Sequence, residues 1–267
     1  MDDVLTLKFL SPNYDSQAGT LEYIATHCDY ATASVTVTGV DGGAIFNAPS
    51  TADGTPATLY FTGGKILGNW GKDCGGIFNY SGSFITMSGG VISGNTSNAG
   101  GGGVVNYGTA NITDGTIYNN TATTRGGGIW NGGTLTLDGS STTINITGNT
   151  CYIDGGGVWN GGTVYMQGTV NVNDNHKSNG WNSNFFCADG KFITVTGNLG
   201  SSRIGVSHEG NAGTMTSGYA ANNAVTNHFD NDFTEIANLG LTGGETVLTL
   251  RTDGVYPKSV ISPNSFG

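Results

Sequence analysis

Residues 126–150 read GGGIWNGGTLTLDGSSTTINITGNT, and residues 155–175 begin nearly the same phrase again as GGGVWNGGTVYMQGTVNVNDN, 29 residues after the first glycine. Working outward, the opening phrase is also present as GGAIFN ending at Asn47, GGIFN at Asn79 and GGVVN at Asn106, ahead of Asn131 and Asn160, at steps of 32, 27, 25 and 29 residues. A second phrase follows each: LYFTG, ITMSG, ANITDG, LTLDG, VYMQG and, from Ile193, ITVTG. A third closes the unit: ILGN at Asn69, ISGN at Asn95, IYNN at Asn120, ITGN at Asn149 and VNDN at Asn175. Three short strand-like runs per unit, with no helical period between them, predict the coils of a parallel β-helix.

Stacking the units in register assigns a direction to each side chain, because residues two apart in a strand share a face. Ile45, Ile77, Val104, Ile129 and Val158 form one inward column. Leu59, Ile85, Ala110, Leu135, Val164 and Ile193 form a second, beside Phe61, Met87, Ile112, Leu137, Met166 and Val195. Ile66, Ile92, Ile117, Ile146 and Val172 form a third. Every column is apolar, while Thr58, Thr109, Thr134, Thr136, Thr163, Thr194 and Thr196 alternate with them and suit a solvated pleated face.

The asparagines fall into two files. Asn47, Asn79, Asn106, Asn131 and Asn160 make one, and Asn69, Asn95, Asn120, Asn149 and Asn175 the other. Amides stacked about 4.8 Å apart can hydrogen-bond from rung to rung and satisfy polar groups at a buried corner, so a structural role is expected for all ten. Gly68, Gly94, Asn119, Gly148 or Asp174 precedes the second file, and these types tolerate positive φ, which predicts a left-handed turn there. The glycine runs lack the Lys-Ser/Thr and the helix of a phosphate loop.

At this point the chain resembles the repeats of bacterial adhesin-like surface proteins. The residues that carry the resemblance are GGAI at residues 42–45 and the pattern in ISGNTSNAGGGGVVN and IYNNTATTRGGGIWN, similar to the GGA[I/L/V] and FxxN repeats of chlamydial polymorphic outer-membrane proteins. The resemblance spans roughly residues 36–206 and implies an all-β, right-handed parallel β-helix of the pectin-lyase-like class, of about six rungs, at a bacterial cell surface or outside the cell. The tail GKFITVTGNLGSSRIGVSHEG also resembles the last coil of β-helix modules in large surface proteins of gut bacteria. The expected division is an N-terminal cap at 1–34, the β-helix at 35–209 and a C-terminal cap or end strands at 210–267. In the first cap, Leu21, Ile24 and Ala25 stand at helical spacing.

Composition narrows the partners. The 267 residues include 47 Gly but only 9 Lys+Arg, and the formal charge is −10, which leaves no basic patch for a phosphate backbone or an anionic bilayer. Nucleic acid and membrane insertion are therefore not expected; no window is long and apolar enough to span a bilayer. Met1 is followed by DDVLTLKFL, which is not an export signal.

No catalytic set, metal site or cofactor emerges. There is no CxxC; Cys74 and Cys151 read as equivalent turns three coils apart, roughly 14 Å and beyond disulfide reach, Cys187 reads as a member of the Ile45/Ile129 column, and a pairing of Cys28 stays open. Arg125 and Arg203 look isolated, Asp138, Asp154 and Asp174 fall on different corners, Asp73 and Asp154 lie three coils apart, and His208 adjoins Glu209 on the opposite strand face. One feature points to binding: Phe46, Phe78, Val105, Trp130 and Trp159 lie between the inward residue and the ladder Asn, so they should face outward as a ribbon with rings roughly 5 Å apart. These readings together point to a non-enzymatic surface or secreted module that acts as a spacer or binds a glycan or a host or neighbouring surface protein through Phe46, Phe78, Trp130 and Trp159. The alternative is a carbohydrate-active β-helix enzyme, a lyase or glycosidase. The oligomeric state stays open.

Overall fold

A computed structural model describes residues 43–49, 54–208, 216–218 and 228–232, together with the backbone of strands Thr6–Leu10, Thr20–Ile24, Ala212–Thr214, Leu248–Thr252 and Ser259–Pro263. The central part is all-β, and its strands stack in parallel as a β-helix of about six turns. Along the first wall, Ile45–Asn47, Ile77–Asn79, Val104–Asn106, Ile129–Asn131, Val158–Asn160 and Phe185–Cys187 pair in parallel, and Arg203–His208 follows them. The register places the expected columns as read: Ile45 opposite Ile77, Val104, Ile129 and Val158, and Leu59 opposite Ile85, Ala110, Leu135, Val164 and Ile193. These side chains form one continuous apolar core with Ile66, Ile92, Ile117, Ile146 and Val172.

Two details differ from the three-run reading. The second and third runs merge into single long strands, Phe84–Ser93, Thr109–Tyr118, Thr134–Thr147 and Thr163–Asn173, with register irregularities where they bend. A separate sheet of two-residue strands, Trp70–Gly71, Thr96–Ser97, Thr121–Ala122, Thr150–Cys151 and His176–Lys177, follows the left-handed corner. That corner is as expected, with φ of 66° at Gly68, 63° at Gly94, 53° at Asn119, 66° at Gly148 and 55° at Asp174. The glycine triplet that opens the repeat also has a physical cause. Gly126 has φ of 67°, and a Cβ on Gly127 would stand 2.4 Å from the carbonyl oxygen of Thr150 and 2.5 Å from that of Gly156, so backbones there lie directly on one another.

Both Asn files are hydrogen-bonded ladders, and both run with one polarity. In the first, the amide nitrogen Nδ2 of Asn47, Asn79, Asn106 and Asn131 donates to Oδ1 of the next Asn at 2.7 to 2.8 Å. In the second, Asn69, Asn95, Asn120 and Asn149 donate onward at 2.8 to 3.0 Å, and the backbone N–H of each donates to the same Oδ1 at 2.9 to 3.0 Å. The second ladder continues past Asn175, whose Nδ2 donates to Asn184 at 3.1 Å. Asn184 then donates from Nδ2 and from its backbone N to the two carboxylate oxygens of Asp232, each at 2.6 Å. A head-to-tail amide chain needs a pure acceptor at its donor end, and a carboxylate supplies one.

The first ladder ends differently. Cys187 pairs with Asn160, and Phe185 takes the place in the Ile129 and Val158 column where Cys187 was expected. The register of this strand is set by Phe185, which is large enough to fill the interior at a rung where the repeat has lapsed; it is fully buried. Nδ2 of Asn160 is buried without a hydrogen-bond partner as a result.

The helical spacing read near the N-terminus is not borne out, whereas strands do lie within 210–267. Thr20–Ile24 is a strand paired antiparallel with Thr6–Leu10, not part of a helix. TLEYI is rich in β-branched and aromatic residues, and pairing satisfies its backbone where a single helical turn would leave most of it open. Parallel pairing carries on past residue 209, since Ile204 stands opposite Phe229 and Ile193 opposite Thr216. An antiparallel sheet of Ala212–Thr214, Leu248–Thr252 and Ser259–Pro263 follows.

Candidate functional site

The first wall carries the aromatic ribbon on its outer side, separate from the interior columns. Adjacent rungs lie only about 4.8 Å apart, too close for flat aromatic rings to tile side by side, so the rings stand on edge with faces together. Ring centroids are 5.2 Å apart for Phe46 and Phe78, at 27°, and 5.0 Å for Trp130 and Trp159, at 18°. The rung between them carries Val105, and Tyr107 bridges the gap, 5.7 Å from Phe78 and 4.7 Å from Trp130. Tyr80 leans on both phenylalanines at 6.2 and 6.3 Å.

Tyr80 and Tyr107 were not singled out from the sequence, although a signal was there. The residue after the ladder Asn is Tyr where the residue before it is Phe78 or Val105, and Gly where it is Trp130 or Trp159. The glycines make room for the indoles: a Cβ on Gly132 would meet the far edge of Trp130 at 2.6 Å, and one on Gly161 that of Trp159 at 2.5 Å, so either ring would have to move. Ring volume on this wall is therefore shared between two positions of each coil.

The ribbon has an open half and a closed half. Phe46, Tyr80 and Tyr107 are 48, 50 and 47% exposed. Phe78 and Val105 are buried in a small satellite cluster with Cys74, and Trp130, half-buried, packs against it. Trp159 is half-buried, its indole nitrogen has no hydrogen-bond partner, and the Arg125 guanidinium lies 5.6 Å from its ring centroid. Arg125 is thus not isolated as expected; it closes the ribbon by a cation–π contact. Trp130 stacks on Trp159 and meets Tyr107 at a tilt of 49°, so neighbouring rings crowd it on both sides. What the ribbon offers a ligand is ring edges and the two tyrosines.

Of the titratable residues weighed for catalysis, Asp174 and Arg203, expected on separate corners and in isolation, line one cleft; Asp138 and Asp154 have separate partners. Asp154 pairs with Lys177 at 2.5 Å. Asp138 accepts hydrogen bonds from Ser140 and from Gln167 Nε2; partial burial acts to raise its carboxyl, and these bonds outweigh it and hold it below its usual range. Cys74 and Cys151 are not in equivalent positions: Cys151 stands opposite Ala122 in the short-strand sheet, in the file that begins at Gly71, three residues before Cys74. Cys74, Cys151 and Cys187 are buried free thiols, and burial pushes each up to about 12; Cys28 lies outside the described residues. Among the described residues no three His, Cys, Asp or Glu side chains gather as a metal site. The chain matches no family model, and no match to it was found among curated proteins or solved structures.

Proposed function

We propose that this chain is a non-enzymatic module of a bacterial surface or secreted protein, a stiff β-helix that carries a lateral strip for docking a protein partner. The observation that supports the reading is the ribbon itself. Phe46, Tyr80 and Tyr107 keep about half their surface in water along one wall, outside the core, where stability alone would favour polar residues. Ring edges and phenolic hydroxyls suit the mixed apolar and polar surface of a protein, in which tyrosine is a frequent anchor. Stiffness follows from the two ladders, which join every coil to the next at its corners.

The test immobilises the module and measures binding of a panel of extracellular-matrix and bacterial surface proteins beside a glycan array. The same preparation is assayed for reducing ends and unsaturated uronates released from polysaccharides. A double change, Tyr80→Ser with Tyr107→Ser, should weaken protein binding by about 2 kcal/mol or more, roughly 30-fold, with little change in melting temperature. Polysaccharide turnover would establish the enzyme reading instead, and protein binding that survives the double change would remove the strip from the function.

A further inference from the structure

A second site stands at the other end of the molecule. Beside the terminus of the second ladder is a cavity of about 220 Å³ lined by Asn173, Asp174, Asn182, Asn184, Arg203, Ile204, Gly205 and Asp232. Ile204 is the one apolar side chain in this lining. We propose that this cleft binds a single neutral pyranose unit, such as the terminal sugar of a glycan, independently of the aromatic strip.

The floor is built and fixed. Asp232 and Asn184 are buried and locked together by their two 2.6 Å hydrogen bonds, and Asn184 in turn accepts from the backbone N of Asn175 at 2.8 Å. Gly205 makes the arrangement possible, because a Cβ there would lie 2.2 Å from Asp232 Oδ1 and 2.3 Å from Asn184 Nδ2. The rim is pinned as well. Arg203 donates its backbone N to Asn171 Oδ1 at 3.1 Å, Asn182 bridges to His176, and the carbonyl of Trp181 accepts from Lys177 N at 2.7 Å. These contacts fix the backbone of the rim, so what remains to be ordered on binding is its exposed side chains.

The lining chemistry selects the ligand. The exposed Asp174, Asn182 and Arg203 and the half-buried Asn173 supply both donors and acceptors, which matches a ring of hydroxyls, each of them donor and acceptor. The lining holds two carboxylates, Asp174 and Asp232, and one guanidinium, Arg203, in a chain of formal charge −10, so its net charge is against a uronate or phosphate. The cavity is smaller than the roughly 300 Å³ at which drug-sized pockets begin, which suits one small unit.

The experiment is saturation-transfer NMR on the whole chain with D-glucose, D-galactose, D-mannose, L-fucose and N-acetyl-D-glucosamine, tested singly at millimolar concentration, with D-glucuronate as the anionic probe. At least one neutral sugar should receive saturation and glucuronate should not. Arg203→Ala and Asp174→Asn should each weaken the positive sugar about tenfold; Asn keeps the left-handed backbone at 174. Tyr80→Ser should leave sugar binding unchanged, which separates this site from the aromatic strip. Transfer to no sugar, binding of glucuronate alone, or neutral-sugar binding that persists in both folded variants would overturn the proposal.

Discussion

Replacing Asn149 with Leu removes one of the two best-connected amides of the second ladder, Asn175 being the other. Its Oδ1 accepts from the backbone N and from Nδ2 of Asn120, both at 3.0 Å, and its Nδ2 donates to the carbonyls of Ile117 and Thr147 and to Asn175 Oδ1, at 2.9, 3.1 and 2.9 Å. The side chain is fully buried, so water cannot replace it. Asn120 Nδ2 keeps its bond to the Ile92 carbonyl at 2.9 Å, but the Asn120 backbone N–H loses its acceptor. Stranding one buried donor costs about 1 to 3 kcal/mol, and each of the three further N–H groups that lose a bond, one on Asn120 Nδ2 and the two of Asn149 Nδ2, is worth about 1 kcal/mol net, so the loss should be about 4 to 6 kcal/mol. Asn131→Leu should cost less, about 1 to 3 kcal/mol, because Asn131 Oδ1 accepts only the side-chain amide of Asn106 and no backbone N–H. Urea unfolding followed by circular dichroism measures both as midpoint shifts at constant slope. Equal midpoints, a reversed order, or an Asn149→Leu protein as stable as wild type would refute the reasoning that the backbone N–H bonds make the second ladder the stronger one.

Cys187→Asn should raise stability by about 1 kcal/mol, because it gives the unpartnered Asn160 Nδ2 an acceptor on the next rung; a lowered urea midpoint would show that the corner cannot take the larger side chain. Cys74, Cys151 and Cys187, buried and pushed up to about 12, should stay unreactive to a thiol reagent at pH 8 in the native protein and react once it is unfolded. More than one fast thiol per native chain would contradict that. His228 is lowered by burial, against a smaller raising contribution from the Ser202 carbonyl, so the unfolded chain takes up the proton first. Its share of stability is therefore complete above the ordinary histidine range and falls as pH drops through it, and His228→Gln should flatten the melting-temperature profile there.

The coils, the inward columns, both Asn files and the left-handed turns at Asn119 and Asp174 were legible in the sequence for one reason. In a stacked repeat the spatial neighbour of a residue is its counterpart one period away, so periodicity states the contacts. Where the period lapses, that reasoning stops. Cys187 lies in the Asn file because Phe185 fills the interior, and nothing in the spacing of FFC fixes that choice. Asp232 ends the second ladder from 48 residues beyond Asn184, a distance no repeat step announces. The ribbon was read on the right wall, but only the tertiary structure decided which surfaces stay free. Rungs a strand spacing apart force rings to stand face to face, Tyr107 and Arg125 take the places left beside Trp130 and Trp159, and the cleft at Arg203 owes its floor to a further parallel rung, Ile204 opposite Phe229, that brings Asp232 to the end of the second ladder.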